Sequence, residues 1–313
     1  MAGGCVMSSL RDAVDGYLAL RRSLGYQLYG HELLLVDFAD FAQRNSVDTV
    51  TIELAVRWAR LPKDAKPIWW ATRLGVVRGF ARYLATIDPR TEIPPRDLLP
   101  ARAQRLAPYI YSPAEVQALM DAAAALQPAV RGATHRTLIG LLAATGLRLG
   151  EALGLDRNDV DLDDGVLRVR GKDDKWREVP LHPTTTHALT EYARLRDRHW
   201  PDPLSPAFFV CTTGKRLQKW VVHKTFPQLI RQVGLEGCGQ RARPRPHDFR
   251  HSYAVATLLD WYRDGENVDA KLPQLSTMLG HAKPEHTYWY LQAVPELLDL
   301  VAARLDGLLE AQS

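Results

Sequence analysis

Cysteine is scarce in this sequence of 313 residues: Cys5, Cys211 and Cys238 are few, far apart and never paired as CxxC. That argues against a disulfide framework or a zinc knuckle and fits a reducing compartment. No run approaches the ~18 apolar residues of a membrane span. The opening stretch MAGGCVMSSLRDAVDG lacks a basic segment followed by a long apolar one, so no secretion signal is expected. An acidic excess is missing too, because 40 Lys and Arg against 36 Asp and Glu leave a net charge of +4. Mild basicity permits nucleic-acid binding, but local clustering matters more than the sum. What is present is apolar: hydrophobic residues make up 46% of the chain, which marks it as globular. The length suggests two domains. The expectation is a soluble, cytoplasmic protein with no membrane contact.

Residues 9–86 read as four helices. Leu10–Leu24 and Tyr29–Arg44 carry apolar residues at helical spacing. Thr51–Leu61 opens with a capping pattern, Thr51-Ile52-Glu53-Leu54, and Ile68–Ile87 is rich in aromatics. Arg73, Arg78 and Arg82 lie among those aromatics. They are candidate DNA contacts, with an ordinary solvated face as the alternative. Residues 1–88 are therefore expected to be an N-terminal helical bundle. Prolines 89, 94, 95, 100 and 108 punctuate the next stretch and predict a stiff linker over 89–108. Arg102 and Arg105 make it basic and join the candidate DNA contacts.

The second domain is expected over 109–313. Ser112-Pro113-Ala114-Glu115 is a capping box with proline in the first turn. Helices are predicted to Leu126 and over His135–Thr145, with Gly146 ending the latter. The next helix carries Arg148 and Glu151 three apart, on one face. Asp164–Arg170 and Lys175–Leu181 predict a β-hairpin turning at Gly171–Asp174. Helices follow at Thr184–Arg198 and Val221–Val233, with Ala207–Val210 a candidate edge strand between them. Arg241, Arg243 and Arg245 form a basic, proline-interrupted loop, again a candidate DNA contact. It leads into His247-Asp248-Phe249-Arg250-His251, in which His247, Arg250 and His251 share a helix side.

The stretch Leu279–Leu291, LGHAKPEHTYWYL, places His281 after Leu279-Gly280 and Tyr290 nine positions on. Pro284 suits a first helical turn. Tyr288 and Tyr290 differ by roughly 200° on a helix, so only one can face a given site. Taken alone, TYWY reads as an apolar core stripe.

In chain order, the polar residues stranded among apolar ones are Arg148, Lys172, His247, Arg250, His281 and Tyr290. Their types and spacing resemble the tyrosine recombinase (phage integrase) family, possibly a transposon-borne member. Ala144–Leu155 is similar to its ATGLR box, His247–Ala254 to its HxLRHxxA box with Phe249 in the leucine place, and Leu279–Tyr290 to its third. The resemblance covers about Tyr109 to Leu291. It implies a mainly α fold with a small β-hairpin sheet, made of a helical core-binding (SAM-like) bundle and a catalytic domain. It also implies that Tyr290 attacks a DNA phosphodiester and joins its 3′ phosphate. Arg148 and Arg250 would hold the phosphate, and His247 and His281 would bond its oxygens or move protons. Lys172 would protonate the leaving 5′ oxygen, and Glu151 would orient a catalytic side chain. No metal and no cofactor would be needed. The partners would be double-stranded DNA and further recombinase protomers, in a homo- or hetero-tetramer.

The chemistry fits these residue types. Charge growing on phosphate oxygens suits fixed guanidiniums, which bind it bidentately. A tyrosine of pKa ≈ 10 is ionised in only about one molecule in 10³ at pH 7 and needs cationic neighbours or a base. Each residue also has a duller reading. Arg148 could simply pair with Glu151, Lys172 could be a solvated turn residue with Lys175 in its role, and His251 could be structural. His247 and His251 also have the i, i+4 spacing of a zinc hydrolase helix, although no third ligand is evident. A DNA-binding accessory subunit that does not cut is a further alternative, but it would have no need of Tyr290. Trp261–Lys271 looks like an insertion between the second and third boxes. Finally, the leucine-rich Pro295–Glu310 reads as an amphipathic helix in need of a groove.

Overall fold

The computed structural model describes residues 9–100, 108–171, 174–235 and 243–280. The chain divides into two compact units, Met1–Arg105 and Leu106–Ser313. No described helix is long and apolar enough to cross a membrane.

The described part of the first unit holds four helices: α1 (Leu10–Ser23), α2 (Tyr29–Arg44), α3 (Ile52–Ala59) and α4 (Pro67–Leu84). Their apolar stripes meet around Trp58, Phe38, Phe80 and Leu35, all with no exposed surface. Trp58 stands edge-on to Phe38, with ring centroids 5.3 Å apart. Thr51 caps α3 by accepting from the Leu54 amide at 3.2 Å. The acid that completes this cap is not Glu53, as the local pattern suggested. Glu92, far along the chain, accepts from the Ile52 amide at 2.7 Å.

Glu92 belongs to the stretch predicted as linker, and residues 88–99 in fact pack on this unit. The Glu92 amide donates to the Val50 carbonyl (2.8 Å), and Leu99 is buried in the helical core. Proline removes N–H donors and stiffens the backbone, but it leaves every carbonyl free to anchor.

The second unit is built on α5 (Pro113–Ala124) and α6 (Ala129–Thr145), followed by α7 (Leu149–Gly154). A small antiparallel sheet comes next, in the order β1 (Val160–Asp161), β2 (Val166–Arg170), β3 (Trp176–Pro180). The β2–β3 hairpin pairs Val166 with Pro180 and Arg170 with Trp176. Then come α8 (Pro183–His199), α9 (Lys219–Gln232), α10 (Asp248–Arg263) and α11 (Val268–Leu279). Ala207–Val210 is not an edge strand: it makes only isolated bridges, and Phe208 and Phe209 fill the core. Trp261–Lys271 is no looped insertion either. It finishes α10 and starts α11, with Gly265 at φ 72° breaking the first and Asn267 capping the second. Apolar faces of α10 and α11 form their own cluster through Ala254, Leu258, Leu272, Leu275 and Leu279. The architecture is mainly α with a small β sheet, as the sequence predicted.

Candidate active site

Gly146 ends α6 in the left-handed conformation, φ 63°. A Cβ there would sit 2.6 Å from Tyr253 Cδ1 and 2.9 Å from Leu279 Cδ2, so only glycine fits. The chain turns at once, and Arg148 becomes the N-cap of α7. Its backbone amide donates to Glu151 Oε2 (3.0 Å) and its Nη1 to Glu151 Oε1 (2.7 Å). Burial pushes the Glu151 carboxyl up, yet bonds and charge from Arg177 and Arg148 outweigh it and hold the group below the usual carboxylate range.

The second element is the start of α10. Arg250 is 2% exposed, and its Nη1 donates to the Gly146 carbonyl at 3.0 Å. Its Nη2 donates to the Leu279 carbonyl. Arg148 Nη2 donates to the Gly280 carbonyl at 3.0 Å, and Arg177 Nε to the Met278 carbonyl at 3.0 Å. Three consecutive carbonyls at the end of α11 thus each receive a different arginine. The last carbonyls of a helix lack intrahelical partners and form its negative end, so cations are favoured there.

His247 precedes α10 as its N-cap and is exposed, with its ring 5.0 Å from that of His251 in an edge-on contact. Desolvation, then the positive charge of Arg250, hold His247 below the usual histidine value. His251 lies deeper: burial, then His247 and two arginines, bring it down to about 4. The chain entering this unit braces the same helix. Tyr111 stacks on Phe249 (centroids 4.4 Å), its amide donates to Ser252 Oγ (2.8 Å) and its hydroxyl to the Arg245 carbonyl (3.1 Å).

Arg148 thus pairs with Glu151, and Arg148 and Arg250 meet at adjacent carbonyls at the end of α11, with His247 close enough to feel the charge of both arginines. Arg177 was missed. The signal was available, because strand alternation puts Arg177 on the same face as buried Val179, an odd place for a charge. Lys172, His281, Tyr290, Arg102, Arg105 and Arg241 lie outside the described residues.

Three of the expected DNA contacts have protein partners, and one of them, Arg73, is turned inward. Arg73 is buried: it stacks 3.8 Å over Trp58 and bonds to the Trp58 carbonyl and Asp37. Arg78 spends its guanidinium on the carbonyls of Pro94, Pro95 and Arg96. Arg245 pairs with the fully buried Asp248 at 2.9 Å, which raises its pKa further. Arg82 and Arg243 remain exposed. Among the described residues no group of three or more His, Cys, Asp or Glu converges to hold a metal ion.

The sequence profile of the phage integrase family matches residues 111–296. The chain belongs to the phage integrase family. It is a tyrosine-type site-specific recombinase. This recombinase is 44% identical over 307 residues to a provisionally named integrase/recombinase, y4rB, of Sinorhizobium fredii, covering 96% of this chain and 98% of that one. It is 32% identical over 220 residues to tyrosine recombinase XerC of Azotobacter vinelandii, covering 70% and 68%. Among solved structures it is similar in fold to the post-cleavage complex of XerH site-specific recombinase bound to palindromic difH substrate, with TM-score 0.64, 20% identity and coverage of 88% and 79%. The Tn1549 transposon integrase in complex with a circular intermediate DNA is likewise similar in fold: TM-score 0.64, 17% identity, coverage 90% and 94%.

Proposed function

We propose that this recombinase cuts and rejoins duplex DNA through a 3′-phosphotyrosine intermediate formed by Tyr290. The observation that carries this reading is the convergence of Arg250 and of Arg148, itself held by Glu151, on carbonyls 279 and 280, the last residues before His281. Two guanidiniums gathered where the third sequence box begins suit a phosphate that gains charge during attack.

In the forward step the Tyr290 oxygen attacks phosphorus, its proton leaves, and the bond to the 5′ oxygen breaks. Arg148 and Arg250 offset charge on the non-bridging oxygens. Two donors of Arg148 are used by its protein contacts, which leaves three of its five N–H groups for a phosphate. His247, held neutral near pH 7, can accept or donate a hydrogen bond at that oxygen set. Lys172 supplies a proton to the 5′ oxygen. One phosphodiester is exchanged for another, so rejoining is nearly isoenergetic and neither metal nor nucleotide enters. Joining two duplexes takes four such cuts, which calls for four protomers, identical or mixed, on the DNA.

The test is a nicked suicide substrate, which traps the covalent adduct. Tyr290→Phe should abolish the adduct, and Tyr288→Phe should leave most of it. The reverse pattern would overturn the helical phase. Site-specific binding with no adduct from either tyrosine would instead favour an accessory subunit.

A further inference from the structure

Beyond the residues proposed to touch phosphate, this unit encloses one further guanidinium. Arg177 projects from the inward face of β3, and its side chain is 12% exposed. A guanidinium placed there is costly unless its donors find partners. Arg177 finds them: Nη2 donates to Glu151 Oε2 (2.8 Å), Nη1 to Glu151 Oε1 (3.3 Å) and Nε to the Met278 carbonyl (3.0 Å). The fork on Glu151 is bidentate, which lysine cannot reproduce.

The partner matters most. Both oxygens of Glu151 are shared with Arg148, one with its Nη1 and the other with its backbone amide. Glu151 is therefore clamped from two sides, and its side chain is only 8% exposed. Without Arg177, that carboxylate would answer to Arg148 alone, and the pair could move together. The other end of Arg177 lies against Gly280, where a Cβ would sit 2.8 Å from Nη1 and 3.0 Å from Cζ. Gly280 is also left-handed, at φ 64°. The turn that leads to residue 281 is thus shaped around the Arg177 guanidinium.

We infer that Arg177 is a positioning residue for strand cleavage: through Glu151 and the Met278 carbonyl it locks Arg148 and the end of α11 into one register. It touches no reacting atom. The inference rests on the reading of Arg148 as a phosphate clamp, and its signature is a defect that depends on phosphate charge.

The experiment uses the full chain with two suicide substrates, one normal and one with a neutral methylphosphonate at the scissile position. Cleavage by Arg177→Ala is measured in single turnover at saturating DNA, beside Arg148→Ala and with binding and melting measured in parallel. A displacement of about 1 Å can cost ~10²-fold in rate, so Arg177→Ala should cleave normal DNA ~10²-fold slower. On the methylphosphonate, where one negative charge is gone, the defect should shrink to roughly threefold, as for Arg148→Ala. A defect equal on both substrates, or none at all, would make Arg177 merely structural and overturn the inference. If Arg148→Ala cleaves normal DNA like the native protein, the phosphate-clamp reading itself fails. Should Arg177→Ala not fold, Arg177→Lys, which keeps stem and charge but loses the fork, is judged on the same two substrates.

Discussion

Acid should loosen the second unit through one histidine. His251 lies half-buried beside the His247 ring, and burial, His247, Arg245 and Arg250 all disfavour its protonation. Its folded value is about 4, against 6.5 for an ordinary histidine. A histidine lowered on folding binds fewer protons in the native state than in the unfolded chain. Stability therefore falls as pH drops below about 6.5 and levels off near 4. At pH 5 the unfolded group is 1.5 units past its midpoint, which at ~1.4 kcal/mol per unit is a loss of about 2 kcal/mol. His247 shifts in the same direction, and carboxylates elsewhere also titrate, so the native protein must be compared with His251→Gln. Urea unfolding of the full chain at pH 7 and pH 5, at constant ionic strength, measures both. With a slope of about 2 kcal/mol per molar urea, the native midpoint should fall by about 1 M more than that of the variant. Equal falls would refute the assignment, since the lost stability would then belong to other groups.

Three further outcomes are expected. Gly146→Ala forces a left-handed alanine against Tyr253 and Leu279, and should cost about 2–4 kcal/mol from backbone strain plus overpacking, read by urea unfolding. A cost below about 0.5 kcal/mol would mean the turn relaxes freely. Lys172→Ala should slow cleavage of normal DNA but regain most of its rate on a 5′-bridging sulfur, whose leaving group needs no acid. No rescue, or rescue of Lys175→Ala alone, would displace Lys172 from that role. Truncation after Val294 should leave single-site DNA binding near normal while paired-site complexes and strand exchange are lost. Unfolding of the truncated protein would place the Pro295–Glu310 segment in its own core instead of on a neighbouring protomer.

The parts of the site that sequence revealed are those encoded locally. Gly146, Arg148 and Glu151 sit within six residues and follow capping and turn rules, so their geometry was readable. The hairpin was readable for the same reason: alternation and a turn signal are short-range. Contacts that close over long separations were not. Glu92 completes the α3 cap across forty residues, Arg78 is claimed by carbonyls of the supposed linker, and Arg73 turns inward to Trp58. An arginine in an aromatic helix has the same letter whether it faces DNA or a tryptophan. Arg177 shows the converse, since its inward face could be counted along β3 but its partners, on α7 and α11, could not.

Tyr111 gives the second unit a mechanical property. The second unit does not simply start with a helix; its fourth described residue is stacked and hydrogen-bonded onto the α10 that carries Arg250. A displacement of residue 111 is therefore felt at the base of the second sequence box and resisted by a stacked ring and two hydrogen bonds. The seating of the Tyr111 ring and the alignment of Arg250 are therefore not independent.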